Sequence, residues 1–374
     1  MKPNLRFGIG IIGCGAISSA HWTGYAALAD ECEIKAVCDL DAKRARQLAD
    51  KGVGVEAYDD YRELLARDDI HIVSVCTPPS FHRQPVQDAL RAGKHVLVEK
   101  PFGASLQECD EMIETARACG RKLVVTFQYR YRRDFNQVRH LLACGAIGDV
   151  VFAQMNALYW RGARYYEVPW RGKWSTECGG VTTIQAIHPL DIFLWLLGDV
   201  ESVYAEMDTM AHDVEVEDIA MAIIRFKSGV VAQIACTVNS VKSDISMEFS
   251  GRNRAVSIPL AFHAVRSNDR GTPEIDEAGI RELERIAAQI ETGTDDHTGP
   301  IGDLFAAIRE DREPLVGGPQ GRNVTETIAA MYKSATTGDA VRLPIAKDDP
   351  WYTTAGLQQL VRKGGRGDRT LQQK

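Results

Sequence analysis

The chain has 374 residues, 45% hydrophobic and 25% charged, more than one ordinary core accommodates, so two globular domains are expected. Its formal net charge of -7, with both signs interspersed, argues against nucleic acid or an anionic membrane as a partner and leaves small molecules as the expected ligand class. The opening apolar run, residues 7–12, is too short for a secretory leader or a membrane span, so the cytoplasm is the expected compartment. Nine scattered cysteines without a Cys-x-x-Cys pair fit buried thiols better than a disulfide frame or a zinc site.

From residue 7 to residue 126, short β-branched runs alternate with stretches of helical length, the rhythm of βαβ units feeding a parallel sheet. Strands are predicted over 7–12, 34–38, 72–77, 96–98 and 123–126, and helices over 17–28, 42–51, 61–67, 81–91 and 105–118. Beyond Tyr129 the runs become longer and alternate, over 150–158, 200–208, 219–226, 230–239 and 245–251, with a hairpin turn at Lys227-Ser228-Gly229. Helices are predicted over 133–142, 189–197, 281–289, 301–310 and 324–336, and residues 362–368 lack the apolar content to pack and are expected to form a mobile tail. The fold class is therefore α/β: an N-terminal doubly wound Rossmann domain (1–127), a C-terminal α+β domain on an open, mainly antiparallel sheet (128–345), and an extension (346–374).

After the first strand comes Gly13-Cys14-Gly15-Ala16-Ile17-Ser18, a G-x-G-x-x-small turn opening a helix, which sets amide N–H groups and a helix N-terminus against a pyrophosphate. Gly13, Gly15, Ala16 and Ile17 are the predicted cofactor contacts there. Asp39, ending the second strand, is placed to accept hydrogen bonds from the adenosine ribose, which favours NAD; Lys43 and Arg44 nearby keep NADP as the less favoured alternative. The plainer reading is that Asp39 and Asp41 only cap the next helix. Thr77 and Pro78 lie where a strand meets the C-terminal sheet edge and are expected to line the cofactor; His82, also a cofactor candidate, equally suits a helix start.

At the end of the next strand stands Glu99-Lys100-Pro101, where Pro101 holds Lys100 extended and aims it at the ligand crevice, against the alternative of an ordinary surface lysine. A positive nicotinamide ring and partial burial would bring such a lysine toward proton transfer. Further on, Gly179-Gly180 leads to Gln185 and then to His188-Pro189-Leu190-Asp191, where Pro189 suits the first helical position and His188 the helix N-terminus. A neutral imidazole there can accept a hydroxyl proton; a plain capping histidine is the alternative. Trp160, Arg161, Tyr165 and Trp174 are aromatic and basic groups suited to a sugar, and equally suited to core and surface duties. Among these motifs nothing has metal-ligand spacing, so no metal is expected.

Taken together, these motifs resemble the glucose–fructose oxidoreductase, inositol dehydrogenase and rhizopine catabolism family, Gfo/Idh/MocA. The resemblance spans residues 7–344 and includes Cys76-Thr77-Pro78-Pro79, Gly93-Lys94-His95-Val96, Glu99-Lys100-Pro101, Gln128-Tyr129-Arg130-Tyr131, Gly145-Ala146-Ile147-Gly148 and His188 with Asp191. It implies NAD(P)-dependent oxidation of a sugar, sugar derivative or cyclitol, and a homodimer or homotetramer packing through the second sheet. It also implies Lys100 at the reacting hydroxyl, His188 as acid/base, Glu99 and Lys100 beside the cofactor, and Arg130 and Gln185 toward substrate. One position departs: four residues before His188 many members carry Asp or Asn, and here Ile184 can neither exchange a proton nor bond a hydroxyl. The family also contains NAD-dependent glycosidases that act by transient oxidation, and a non-catalytic NAD-binding sensor is the alternative from another class.

Overall fold

The computed structural model describes residues 6–363; residues 364–374, on which most of the expected mobile tail falls, lie outside the described residues. In chain order the first elements are β1 (Phe7–Ile12), α1 (Ser18–Ala27), β2 (Cys32–Cys38), α2 (Ala42–Ala49), β3 (Glu56–Tyr58), α3 (Tyr61–Leu65), β4 (Ile72–Val75), α4 (Arg83–Arg91), β5 (His95–Val98), α5 (Leu106–Cys119) and β6 (Leu123–Val125). There follow α6 (Arg133–Ala143), β7 (Phe152–Trp160), α7 (Val181–Ile184), α8 (Ile187–Leu197), β8 (Val200–Asp208), β9 (Ile219–Phe226), β10 (Val231–Thr237), β11 (Asn239–Ser250), β12 (Arg254–Ile258), β13 (Ala261–Ser267) and β14 (Pro273–Ile275). The chain closes with α9 (Glu277–Ala287), α10 (Thr298–Glu310), α11 (Gly318–Thr337), β15 (Val341–Arg342) and α12 (Thr354–Leu360). No helix among the described residues is long and apolar enough to cross a membrane.

Two compact units result: residues up to Gln128 together with Thr294–Thr325, and Tyr129–Gly293 together with residues from Glu326 onward. The first unit holds a parallel sheet in the order β3-β2-β1-β4-β5-β6, the doubly wound order with its switch point between β1 and β4. Every residue of β1 and of β4 is buried, as expected of strands covered on both faces. A single cut near residue 128 does not describe this division, because α10 returns to the first unit. Its Ile301, Leu304 and Phe305 are fully buried with Phe7, Ile9 and Tyr25, and the Phe305 ring lies 4.9 Å from that of Phe7. An apolar helix face of this kind is stabilised only by the surface it covers.

The second unit carries a sheet ordered β14-β13-β12-β11-β7-β10-β9-β8-β15, antiparallel except for the β10–β7 pair. Burial alternates along β9 as intermediate, buried, exposed, buried, exposed, buried, exposed, buried, so one face is covered and the other open. The predicted turn closes the β9–β10 hairpin, with Gly229 at φ +92 and Phe226 N–H donating to the Val230 carbonyl. Helix α8 begins at Ile187, one residue before His188, and stops at Gly198, whose φ is +86. The fold class thus stands as expected, with β3 and β12 to β15 added to the predicted strands.

Candidate functional site

In the first unit the turn after β1 has the shape the glycine motif requires. Gly13 has φ +92, and a Cβ on it would stand 2.7 Å from the Cys76 carbonyl carbon, so only glycine fits between β1 and the end of β4. A Cβ on Gly15 would meet nothing within 4 Å, which leaves open space in front of the turn. Ala16 and Ile17 are exposed beside it, and Ser18, in place of a third glycine, turns its hydroxyl back to donate to the Gly15 carbonyl at 2.6 Å.

Asp39 ends β2 next to this turn and accepts the Cys14 N–H at 2.7 Å through Oδ2 and the Asp41 N–H at 2.9 Å through Oδ1. The capping alternative falls to Asp41, which accepts from Lys43 and Arg44 N–H at the start of α2. A carboxylate oxygen accepts more than one hydrogen bond, so Asp39 keeps capacity for ribose hydroxyls at the mouth of the turn. Thr77 and Pro78 are half-buried at the same C-terminal sheet edge, with the Thr77 hydroxyl donating to the Phe81 carbonyl at 3.1 Å.

Two expected cofactor contacts are placed otherwise. His82 is fully buried, with Nδ1 2.9 Å from the Pro101 carbonyl and Nε2 2.8 Å from the Thr77 carbonyl, so it ties two loops together instead of facing a ligand. Glu99 is buried as well. Its Oε1 lies 2.8 Å from His21 Nε2 and 3.3 Å from His297 Nε2, while Oε2 accepts the Lys100 N–H at 3.2 Å. Burial pushes the Glu99 carboxyl up, but the hydrogen bonds to the two imidazoles outweigh it and hold it well below the usual range. His21, whose own ring is driven toward the neutral form by burial, is backed by Ser74 at 3.1 Å, and Ser74 by the Tyr25 hydroxyl at 2.7 Å.

This network fixes the main chain of Lys100, whose peptide bond to Pro101 is cis. Among the described residues His21, Glu99 and His297 are also the one group with metal-ligand chemistry, yet their contacts are those of hydrogen bonds and use up the carboxylate. Neither histidine belongs to a motif of the sequence. His21 was legible in principle, since it falls on the buried stripe Ser18, His21, Gly24, Tyr25 of α1 and a polar group there must have a partner. His297 comes from a distant segment and has no local signal.

In the second unit Arg130 is not a substrate group. It is 4% exposed and pairs with fully buried Asp191 through Nε at 2.9 Å and Nη2 at 2.6 Å, with its guanidinium 5.2 Å from the Trp195 ring centroid. Burial pushes the Asp191 carboxyl up and the Arg130 charge opposes it. The preceding residue, Tyr129, stacks on the His188 ring with centroids 4.9 Å apart, so one short turn holds both the histidine and its helix.

Trp174 is likewise structural: it is 2% exposed, donates Nε1–H to the Glu215 carbonyl at 3.0 Å and meets the Tyr332 ring edge-on. Trp160 is 56% exposed at the end of β7. Gln185 donates to the Tyr165 hydroxyl at 2.7 Å, and Arg161 lies 5.2 Å from the Tyr165 centroid, so these three expected substrate groups are brought together. Ile184 closes α7 and offers no carboxylate.

Glu217 is a further buried group that the sequence did not reveal. It accepts the Gly180 and Thr182 N–H groups at 2.9 and 3.0 Å and the Tyr332 hydroxyl at 3.0 Å. A Cβ on Gly180 would stand 1.9 Å from the Glu217 carbonyl oxygen, which explains the second glycine of the pair.

Models of two families match the chain: "Oxidoreductase family, NAD-binding Rossmann fold" (GFO_IDH_MocA) over residues 7–127, and the GFO/IDH/MocA C-terminal domain over residues 135–257. Among curated relatives, the D-glucoside 3-dehydrogenase of Escherichia coli (strain K12) is 26% identical over 90% of this chain and 97% of its own length. The inositol 2-dehydrogenase of Burkholderia ambifaria (strain MC40-6) is 31% identical over 67% of this chain and 73% of its own. Among solved structures, the WlbA dehydrogenase from Bordetella pertussis, in complex with NADH and UDP-GlcNAcA, superposes with a TM-score of 0.81 at 24% identity, covering 91% of this chain and 99% of that one.

Burial pushes Glu217 up to about 7, against the hydrogen bonds that favour its charged form. A raised carboxyl pKa means that the fold holds a proton the unfolded chain has lost, so its contribution is full below about 4.5 and is lost as pH rises through about 7. Glu217→Gln should therefore flatten the stability profile: between pH 5 and pH 8 wild type should lose about 3 kcal/mol relative to the variant. Parallel melting curves for the two proteins across that range would contradict this.

Proposed function

This chain belongs to the GFO/IDH/MocA oxidoreductase family, and on that premise we propose that it transfers a hydride between NAD and a hydroxyl carbon of a sugar, sugar derivative or cyclitol. The observation that carries the cofactor half is the open turn at Gly15 with the Asp39 carboxylate at its mouth. Its amide N–H groups and the start of α1 suit a pyrophosphate, Asp39 suits the ribose hydroxyls, and its charge disfavours a 2′-phosphate. NAD+ supplies the hydride acceptor when bound. The names of the relatives, glucoside and inositol dehydrogenases, support the substrate half.

The chain's own groups handle the hydroxyl. Lys100, carried on the C-terminal edge of β5 with its main chain fixed by Glu99, stabilises the developing alkoxide. His188, second in α8, takes the hydroxyl proton. Stacking on Tyr129 and the Arg130–Asp191 pair hold its ring and helix, so orientation comes from these contacts in place of the carboxylate missing at Ile184. We place the protein in the cytoplasm, a reading supported by its nine free thiols.

The homo-oligomer is proposed on the open face of the second sheet. There Tyr204, Ile223 and Gln233 stand in one rung and Arg225, Val231 and Phe152 in another, with Ile223 54%, Phe152 40% and Tyr204 39% exposed. Light scattering should return a dimer or tetramer, and a monomer would count against that interface. Absorbance at the NADH wavelength should rise when the protein meets NAD+ and a panel of sugars, sugar acids, glycosides and inositols. Lys100→Ala should lower that rate by at least about a hundredfold. Firm NAD binding without turnover across the panel would shift the reading to a glycosidase acting by transient oxidation, or to a sensor.

A further inference from the structure

Between β7 and α7 the chain carries Arg161, Arg164, Arg171 and Lys173 against Glu167 and Glu177, a basic stretch in a chain of net charge -7. Two of its guanidiniums converge on one ring. Arg171 lies 3.8 Å and Arg161 5.2 Å from the centroid of Tyr165, and each has a second aromatic neighbour, Trp170 at 4.5 Å and Tyr159 at 5.7 Å. A guanidinium laid on a ring keeps its N–H donors at the edge, available to an in-plane partner.

Those donors are under-used. Arg161 Nη1 donates to the Trp160 carbonyl at 2.9 Å, and no carboxylate of the described residues stands within ion-pair distance of it. Arg171 Nη1 is 3.5 Å from Glu177 Oε1, but it is buried and makes no hydrogen bond. Burial works against the Arg171 charge, and Glu177, whose other oxygen accepts the Gly172 N–H, only partly offsets this. Asp218, which faces His212, is taken up by the N–H groups of Met210, Ala211 and His212, and Glu167 is exposed. Partly desolvated guanidiniums with spare donors are stabilised by an oxyanion.

The cluster is tied to the segment that carries His188. Gln185 donates to the Tyr165 hydroxyl at 2.7 Å, and the Tyr159 hydroxyl donates to the Gln185 carbonyl at 3.2 Å. Ile184, next in line, adds no negative charge to oppose an anion.

We infer that Arg161 and Arg171, set against Tyr165, receive an anionic group of the substrate, a carboxylate or a phosphate, so that the substrate is an acidic sugar or cyclitol. The inference rests on the dehydrogenase reading for the sugar part of the ligand, and adds the charge. Guanidinium edges pair with either oxyanion in a two-point geometry that a neutral hydroxyl cannot match.

Calorimetry on the full chain saturated with NADH tests this without requiring turnover, using glucuronate, glucose 6-phosphate and myo-inositol 1-phosphate as anionic ligands and glucose and myo-inositol as neutral ones. At least one anion should bind about tenfold or more tightly than its neutral counterpart, with affinity falling as salt is added, and the better of glucuronate and the phosphates identifies the group. Arg161→Ala should lose about tenfold for that anion, and Arg161→Lys should recover part of it. Anions that bind no better than neutral ligands overturn the inference, as does an Arg161→Ala variant that melts like wild type and binds the anion equally well. Anion binding with no NADH formed from any member of the panel in the NAD+ assay overturns the dehydrogenase reading alone; a neutral sugar that is oxidised while no anion binds overturns the charge alone.

Discussion

The cofactor cradle depends first on the backbone at Gly13. A left-handed turn pressed to 2.7 Å, Cβ position to carbonyl carbon, against the end of β4 can be made only without a side chain. That approach lets the chain leave β1 and enter α1 within a few residues, with Gly15 open in front. The Cys14 N–H, which would otherwise stand orphaned at the end of the strand, is taken by Asp39. One steric constraint and one hydrogen bond thus bring a phosphate cradle and a ribose acceptor to the same sheet edge.

A second constraint is the burial of Glu99. A buried carboxylate must be fully hydrogen-bonded, and three elements of the first unit meet that demand: α1 through His21, the segment leading into α10 through His297, and the Lys100 N–H itself. The returning helix therefore supplies a polar contact besides its apolar face. The consequence for chemistry is indirect: Glu99 acts by holding the main chain at Lys100. In the second unit, Arg130 and Tyr129 do the equivalent for α8 and His188.

Much of this was legible in the sequence where a local rule decides the outcome. β1, β8 and β9 fall where periodicity placed them, and Gly13, Gly15 and Asp39 sit as spacing required. Strands β3 and β14, each three residues long, are too short for alternation to register, and β12 and β13 pair at the edge of a sheet that only the fold defines. The helix over α10 was legible but its destination was not, because an amphipathic pattern shows that a face is covered without showing by what. Side-chain duties failed for the same reason. Arg130 and Trp174 have the composition of a sugar site, and their distant partners Asp191 and Glu215 turn them into struts.

The most direct test of the central claim is the affinity of the full chain for NADH and NADPH, measured by calorimetry for wild type and Asp39→Ala. The cradle at Gly13 to Asp39 predicts that wild type prefers NADH by about tenfold or more and that the variant loses this preference by weakening NADH and ceasing to repel the 2′-phosphate. Equal affinity for the two cofactors in wild type, or a preference that survives in Asp39→Ala, would contradict the assignment of that carboxylate and of the site built around it.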